Sequence, residues 1–523
     1  MERLKTQTEI LPVTTDSNPH RPLVIGLIVF GLVAALLLGA EFYFLWKPRA
    51  DQVSGDTLIH MVFARNLAAG RPFDFNIGYF SRALTSPAWN WLLAGVGVLL
   101  DLSREREGFL MLFRALSVVT MGVALGFVWR LARLLRADAI WSLGAVLIVA
   151  LNPCTFYWVV ANPMETAMAC VVALLIGLWT FRAAKVPAGG VWFVGGLLAG
   201  LGFLTRPELM VFGGTGALAA FVFSRERRWA GLILFAVGLG LVLGLWVLYL
   251  NLMGVAVMPN AGSTRRLMLM LDDVRPMPVT GWPWSPDCLL FLLLFLPFFA
   301  GALLLPRMRE PGIAAVVAAV VAMTGFCVIF FTFYFPTTWQ GRYLLPLVSV
   351  VVPVGAAGLS EFSKRLRGVW VVSAVAIYAI VLGSILLRPL AVYADAPRQR
   401  SLPPPGDVVI PNGARILLCQ EIQSAWFHPE LFHVCTEGLI GLESMDARRR
   451  GLSVLEFIRE TRPDLIGTGR YPLEDPEGVV KTIREAAEAR RDAGLPGLRL
   501  VYLGEMPGCG SVFRCEWDSS LRQ

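Results

Sequence analysis

Eleven apolar runs of about 17 to 25 residues, the length that carries a helix across a bilayer, succeed one another along this 523-residue chain. They fall near residues 23–46, 108–130, 138–160, 166–182, 188–205, 208–224, 229–251, 287–305, 312–334, 343–360 and 368–388. A water-soluble domain cannot cover so much apolar surface. Hydrophobic residues make up 56% of the chain and charged residues 16%, against roughly 25% charged in an average soluble domain. The chain therefore reads as a polytopic α-helical membrane protein. The run at 23–46 is too long for the apolar part of a signal peptide and lacks a small-residue cleavage site, so it stays as a first span behind a cytoplasmic tail, 1–22.

The formal charge of +8 does not point to nucleic acid, because the Lys and Arg residues are spread over short loops. With the N-terminus inside, the inner connections read "RLARLLRAD", "FRAAK", "SRERRW", "PRMREPG" and "SEFSKRLRG". Each is basic, as the positive-inside rule requires. The stretch 86–100 would invert every later loop if counted as a span. At about 15 residues it is too short, and it reads as a re-entrant or interfacial helix.

This orientation puts the unusual polar residues on one face. The first outer loop, 47–107, holds Asp51, Asp56 and His60; "NPMETA" brings Glu165, and "RPE" brings Arg206 and Glu208. "MPNAGSTRR" adds Asn260, Arg265 and Arg266, and "TTWQGRYLLP" adds Arg342 and Tyr343. A transporter more often carries ionisable groups near the bilayer midplane or breaks matched helices in two halves. Here the groups gather at the outer rim.

After residue 388 a Pro-rich linker, 389–409, leads into a segment of soluble composition, 410–523. Strands are expected at 414–419, 463–469, 498–506 and 511–517, and helices at 453–461 and 477–491. These make a small α/β domain on the outer side. Its cysteines, Cys419, Cys435, Cys509 and Cys515, form an even set that allows one or two disulfides. Cys154, Cys170, Cys288 and Cys327 lie in or beside spans and read as small apolar residues. No C-x-x-C or H-E-x-x-H spacing marks a metal site, and whether a divalent cation is needed is left open.

"GDTLIHMVFARNLAAGRPF" with "ALTSPAWNWLLA", then "NPMETA", "LTRPE", "MPNAGS" and "GRYLLP" in that order, resembles the GT-C class of integral membrane glycosyltransferases. The set is similar to that of the mycobacterial terminal arabinofuranosyltransferases and their bacterial relatives, whose first loop reads D-D-A-Y-I, then A-R-N-L-A and T-S-P-L-W. The resemblance implies a multi-pass enzyme of the bacterial cytoplasmic (inner) membrane with a GT-C-like fold. It also implies a polyprenyl-phosphate-linked sugar as donor and a glycan, lipid or protein as acceptor, met among membrane lipids at the outer face. Gly55 stands where the relatives have the first of two aspartates, which leaves Asp56 as the candidate catalytic base, with Asp51 four residues earlier as its rival.

Arg342, Tyr343, Arg206, Glu165, Asn260 and His60 are the candidates for holding the donor's phosphate and sugar. Departure of a phosphate from an anomeric carbon calls for cationic donors, and a carboxylate to take the acceptor's proton. Each residue also has a structural alternative. Asp56 can cap a helix. His60, one turn on, can pair with Asp56 or sit in solvent. Glu165 suits the N-terminus of its span, and Arg206 can anchor its span end with Glu208. Trp89, Trp91, Trp282, Trp284 and Trp339 suit an interfacial belt. The competing functions are a catalytically silent glycan- or lipid-binding relative and, behind it, a transporter.

Overall fold

A computed structural model describes residues 55–81, 84–101, 106–150, 152, 155–186, 188–224, 228–255, 310–333 and 341–363 of the helical part. Of the C-terminal part it describes 410–418, 425, 430–435, 447, 450, 452, 454–468, 479–489, 493–495, 497–506 and 509–518. The expected spans at 23–46, 287–305 and 368–388, the linker, Asp51 and Asn260 lie outside these residues.

The helices are α1 (Gly55–Ala68), α2 (Pro87–Leu99), α3 (Arg106–Leu134), α4 (Ala139–Ala150), α5 (Thr166–Lys185), α6 (Gly189–Thr205), α7 (Pro207–Phe223), α8 (Arg228–Leu252), α9 (Pro311–Phe333) and α10 (Gly341–Ser363). Between α1 and α2 a small hairpin pairs β1 (Asp74–Asn76) with β2 (Tyr79–Phe80). Among the described residues four helices are long and apolar enough to cross a membrane, at 108–134, 166–185, 228–252 and 342–361. The run expected to span at 138–160 is broken. Its α-helix stops at Ala150, and a π-helical turn, Phe156–Ala161, follows. The sequence reads Asn152 followed by a proline here, and a proline deprives a helix of a donor and disfavours helical geometry in the residue before it. α2 has only 13 residues, in keeping with a helix that does not cross.

α5 is the hub of the bundle, with most of its length buried in one apolar core shared with α3, α4, α6, α7, α9 and α10. α6 and α8 approach closely through glycine: a Cβ built on Gly196 would run into the Phe235 carbonyl oxygen. Small residues allow such contact where water supplies no hydrophobic drive between helices. At the end of α5 that carries Lys185, Glu310 accepts ion pairs from Arg136, at 2.9 Å, and from Lys185. Nearby, the Ser360 hydroxyl donates to Asp138 Oδ2 at 2.9 Å. Four of the five connections read as basic inner loops thus meet at one end of the bundle, and Glu165 stands at the opposite end of α5.

The C-terminal part contains β3 (Arg415–Leu418), β4 (Phe432–Cys435), β5 (Leu465–Gly467), β6 (Ala493–Leu495), β7 (Leu498–Met506) and β8 (Gly510–Trp517), with helices α11 (Val454–Thr461) and α12 (Val479–Ala489). The six strands form one sheet in the order β4-β3-β5-β8-β7-β6. β3 runs parallel to β4 and β5, and the other pairings are antiparallel. β4 and β6 were not among the strands expected from sequence. Cys515 carries a free thiol, which burial, then the nearby Asp464 charge, pushes up to about 12. Cys170 and Cys327 are buried free thiols within the helical core. Trp89 departs from the expected interfacial belt: it is fully buried, edge-on to Phe113.

Candidate functional site

Prolines shape the site before any side chain reaches it. Pro207 opens α7 and holds Arg206 in extended backbone (φ −156°, ψ 127°), as expected for a residue before proline. Arg206 therefore sits at the corner between α6 and α7 and not on a helix face. Pro346 lies inside α10 and has no N–H, so the carbonyl of Arg342, four residues back, lacks its usual helical donor. Arg206 takes that place, its Nη1 donating to the Arg342 carbonyl at 2.7 Å.

The rest of the Arg206 guanidinium is committed to Glu165. Nε donates to Oε1 at 2.8 Å, and Nη2 lies 2.7 Å from the same oxygen. Glu208, the partner expected from sequence, lies further off, at 3.6 Å from Nη1. Arg206 is 3% exposed and Glu165 4%, so this is a buried pair rather than an interfacial anchor. Burial alone would raise the Glu165 carboxyl, but the Arg206 guanidinium and the His60 hydrogen bond outweigh it and hold the group below the usual carboxylate range.

His60 completes the network, and its solvated alternative does not hold: it is 3% exposed. Its Nε2 is 3.1 Å from Glu165 Oε2, and its Nδ1 is 3.3 Å from the Asn90 side-chain nitrogen. An ionised carboxylate only accepts and an amide nitrogen only donates. The tautomer with the proton on Nε2 satisfies both neighbours. Glutamine in place of His60 can carry an N–H to the position of Nε2, whereas asparagine is too short. Thermal unfolding in detergent should show His60→Gln close to the parent and His60→Asn lower by about 1.5–3 kcal/mol, the usual worth of a hydrogen bond to a charged group. Equal losses in both variants would remove the bond to Glu165 from the account.

Arg342 begins α10, where the helix dipole disfavours a cation. Aromatic faces offset that cost, with the guanidinium carbon 4.8 Å from the Tyr343 ring centre and 5.6 Å from that of Trp158. Nη2 also donates to the Tyr343 hydroxyl at 2.9 Å. Arg206 lies over the same tyrosine ring, 4.6 Å from its centre. Tyr343 is thus shared between two guanidinium groups. Unlike Arg206, Arg342 and Tyr343 are only half-buried.

The structure brings together His60, Glu165, Arg206, Arg342 and Tyr343 from four separate connections. Asp56 is the second residue of α1, one turn before His60, and its side chain lies outside the described residues, as does all of Asn260. Sequence reasoning missed Asn90 and Trp158. Trp158 belongs to the π-helical turn, a feature often found at functional sites, and only the "NP" break before it hints at irregular backbone. Among the described residues no group of three or more His, Cys, Asp and Glu gathers as a metal site.

Residues 85–253 match the family model for dolichyl-phosphate-mannose-protein mannosyltransferases. No curated protein matches the chain by sequence. Among solved structures, ArnT from Cupriavidus metallidurans bound to undecaprenyl phosphate is similar over 96% of this chain and 99% of its own, at 14% identity and a TM-score of 0.56. The archaeal oligosaccharyltransferase AglB from Archaeoglobus fulgidus, in complex with an inhibitory peptide and a dolichol-phosphate, is similar over 95% of this chain and 75% of its own, at 10% identity and a TM-score of 0.51. The apo form of the Archaeoglobus fulgidus enzyme gives 12% identity, 86% and 70% coverage and a TM-score of 0.51. At such identities the likeness is one of fold: the helical, membrane-embedded GT-C architecture.

Proposed function

We propose that the chain is a membrane glycosyltransferase, moving a sugar from a polyprenyl-phosphate donor to a cell-envelope glycan, lipid or protein at the outer face of a bacterial inner membrane. The observation that carries this reading is the rim cluster, in which Arg342 presents a half-buried guanidinium while its backbone carbonyl is held by Arg206, itself paired with Glu165, which His60 meets in turn. The matched family segment and the shared fold support it. A prenyl chain cannot leave the bilayer, so the donor needs spans for its lipid and a polar rim for its phosphate. The basic loops gather at the opposite end of the bundle, which supports an extracytoplasmic placement of both the rim and the C-terminal domain. The motif order favours kinship with the arabinofuranosyltransferase-like branch.

In this reading the acceptor hydroxyl oxygen attacks the anomeric carbon as its bond to the phosphate oxygen breaks. Asp56 takes the hydroxyl proton. Arg342 and Tyr343 stabilise the charge that builds on the departing polyprenyl phosphate. Arg342→Ala should weaken undecaprenyl phosphate binding by roughly 10- to 100-fold, the equivalent of one or two charge-assisted hydrogen bonds. Arg342→Lys keeps the charge but loses the planar fork, and should fall between. Lipid binding measured by native mass spectrometry or microscale thermophoresis checks this, and an affinity unchanged in Arg342→Ala takes the residue out of the site. Gly55, in place of a first aspartate, favours one alternative, a relative that binds donor without transferring sugar. Binding without turnover would select it.

A further inference from the structure

Among the described residues β4 is an edge strand of the six-stranded sheet. Phe432 N–H donates to the Ala414 carbonyl at 2.9 Å, so the next residue, His433, turns its N–H and C=O toward the open edge. Unpaired main-chain groups on an edge need a partner or water. The side chain of Asn76, in the outer-loop hairpin, supplies one: Nδ2 donates to the His433 carbonyl at 2.9 Å, and Oδ1 accepts from the His433 N–H at 2.8 Å. Both residues are buried. One carboxamide therefore acts as a fragment of a further strand.

The hairpin is fastened to α1 in turn. Asn66 Nδ2 donates to the carbonyls of Asp74, at 3.0 Å, and Phe75, at 3.4 Å. Arg65, also on α1, donates to the Ala425 carbonyl at 3.2 Å, and Ala425 is buried in the apolar cluster that holds Leu58, Met61 and Val62 of α1. The other face of this helix delivers His60 to Glu165.

We infer that the C-terminal domain is a working part of the rim site: through Asn76 and Arg65 it holds α1 in place, so that His60 meets Glu165. Asn76 is a positioning residue. The inference rests on the proposed function only for its kinetic consequence, a fall in kcat/KM for transfer. The geometry is tested separately.

Hydrogen exchange by mass spectrometry on the full chain in nanodiscs tests it with Asn76→Ala, Asn76→Asp and Arg65→Met. Asn76→Asp keeps the acceptor but sets a carboxylate oxygen against the His433 carbonyl. In both Asn76 variants, peptides over 431–435 and 57–68 should exchange about 5- to 100-fold faster, as expected for two lost hydrogen bonds, while 166–185 and 498–517 keep their protection. Arg65→Met should speed exchange in 57–68 with the same regions unchanged. Faster exchange at 431–435 with α1 untouched would overturn the inference, as would no change in either segment. Loss of protection throughout the chain would make Asn76 a general folding residue and equally overturn it. A parent protein without transferase activity, but with these exchange shifts, would sink the proposed function and leave the clasp standing.

Discussion

Arg206→Ala should lose about 3–5 kcal/mol of folding stability, the usual result of removing one member of a buried ion pair. The loss arises from what stays behind. Glu165 remains 4% exposed with its principal cation gone, and the Arg342 carbonyl, which Pro346 cannot serve, loses its donor. A double replacement, Glu165→Gln with Arg206→Met, removes both charges and should recover much of the stability. It should not recover transfer, because Arg342 is still unbraced. The pH dependence has a definite sign. The Glu165 carboxyl is depressed in the folded protein, so its contribution is present above the ordinary carboxylate range and is lost as pH falls toward and through the lower folded value. Denaturant unfolding in detergent measures both variants. A single Arg206→Ala loss below about 1 kcal/mol would place the pair among ordinary surface bridges.

Asp56→Asn should lower sugar transfer by about 100- to 10,000-fold, the range for removing a positioned general base. Asparagine keeps the size of aspartate in the first turn of α1, so expression, folding and donor binding should persist. The two readings of Asp56 differ in kind, because an acidic residue in the first turn of a helix is worth only about 0.3–1 kcal/mol of stability and no chemistry. Near-normal transfer in Asp56→Asn, with loss in Asp51→Asn, would move the base to Asp51. Its place on α1, one turn from His60, ties the candidate base to the same helix that the C-terminal domain clasps.

Among the described residues the helices were largely legible because their signals are local. Apolar length and basic loops mark the helices, and Glu310 draws together loops that share only their charge. Pro207 and Pro346 are local signals as well, but their consequence, a cornered arginine and an unserved carbonyl, was not drawn from the sequence. Nor was the site's wiring. His60 and Glu165 are far apart in the chain, and nothing within "TLIHMVF" distinguishes a solvated histidine from one that meets a buried carboxylate. Arg206 has a nearer carboxylate in sequence, Glu208, but the bend at Pro207 turns its fork toward Glu165. Local spacing therefore named the wrong principal partner. β4 is four residues long, and its pairing with a side chain of the first outer loop is a purely tertiary event.

The central claim, transfer from a lipid-linked donor, is tested most directly by incubating the purified full-length protein with radiolabelled polyprenyl-phosphate sugars and a cell-envelope acceptor fraction, alongside the Asp56→Asn and Arg342→Ala variants. The account predicts label moving from lipid to acceptor with the parent protein and almost none with either variant. Equal transfer by parent and both variants, or donor bound by the parent but never turned over, would contradict it.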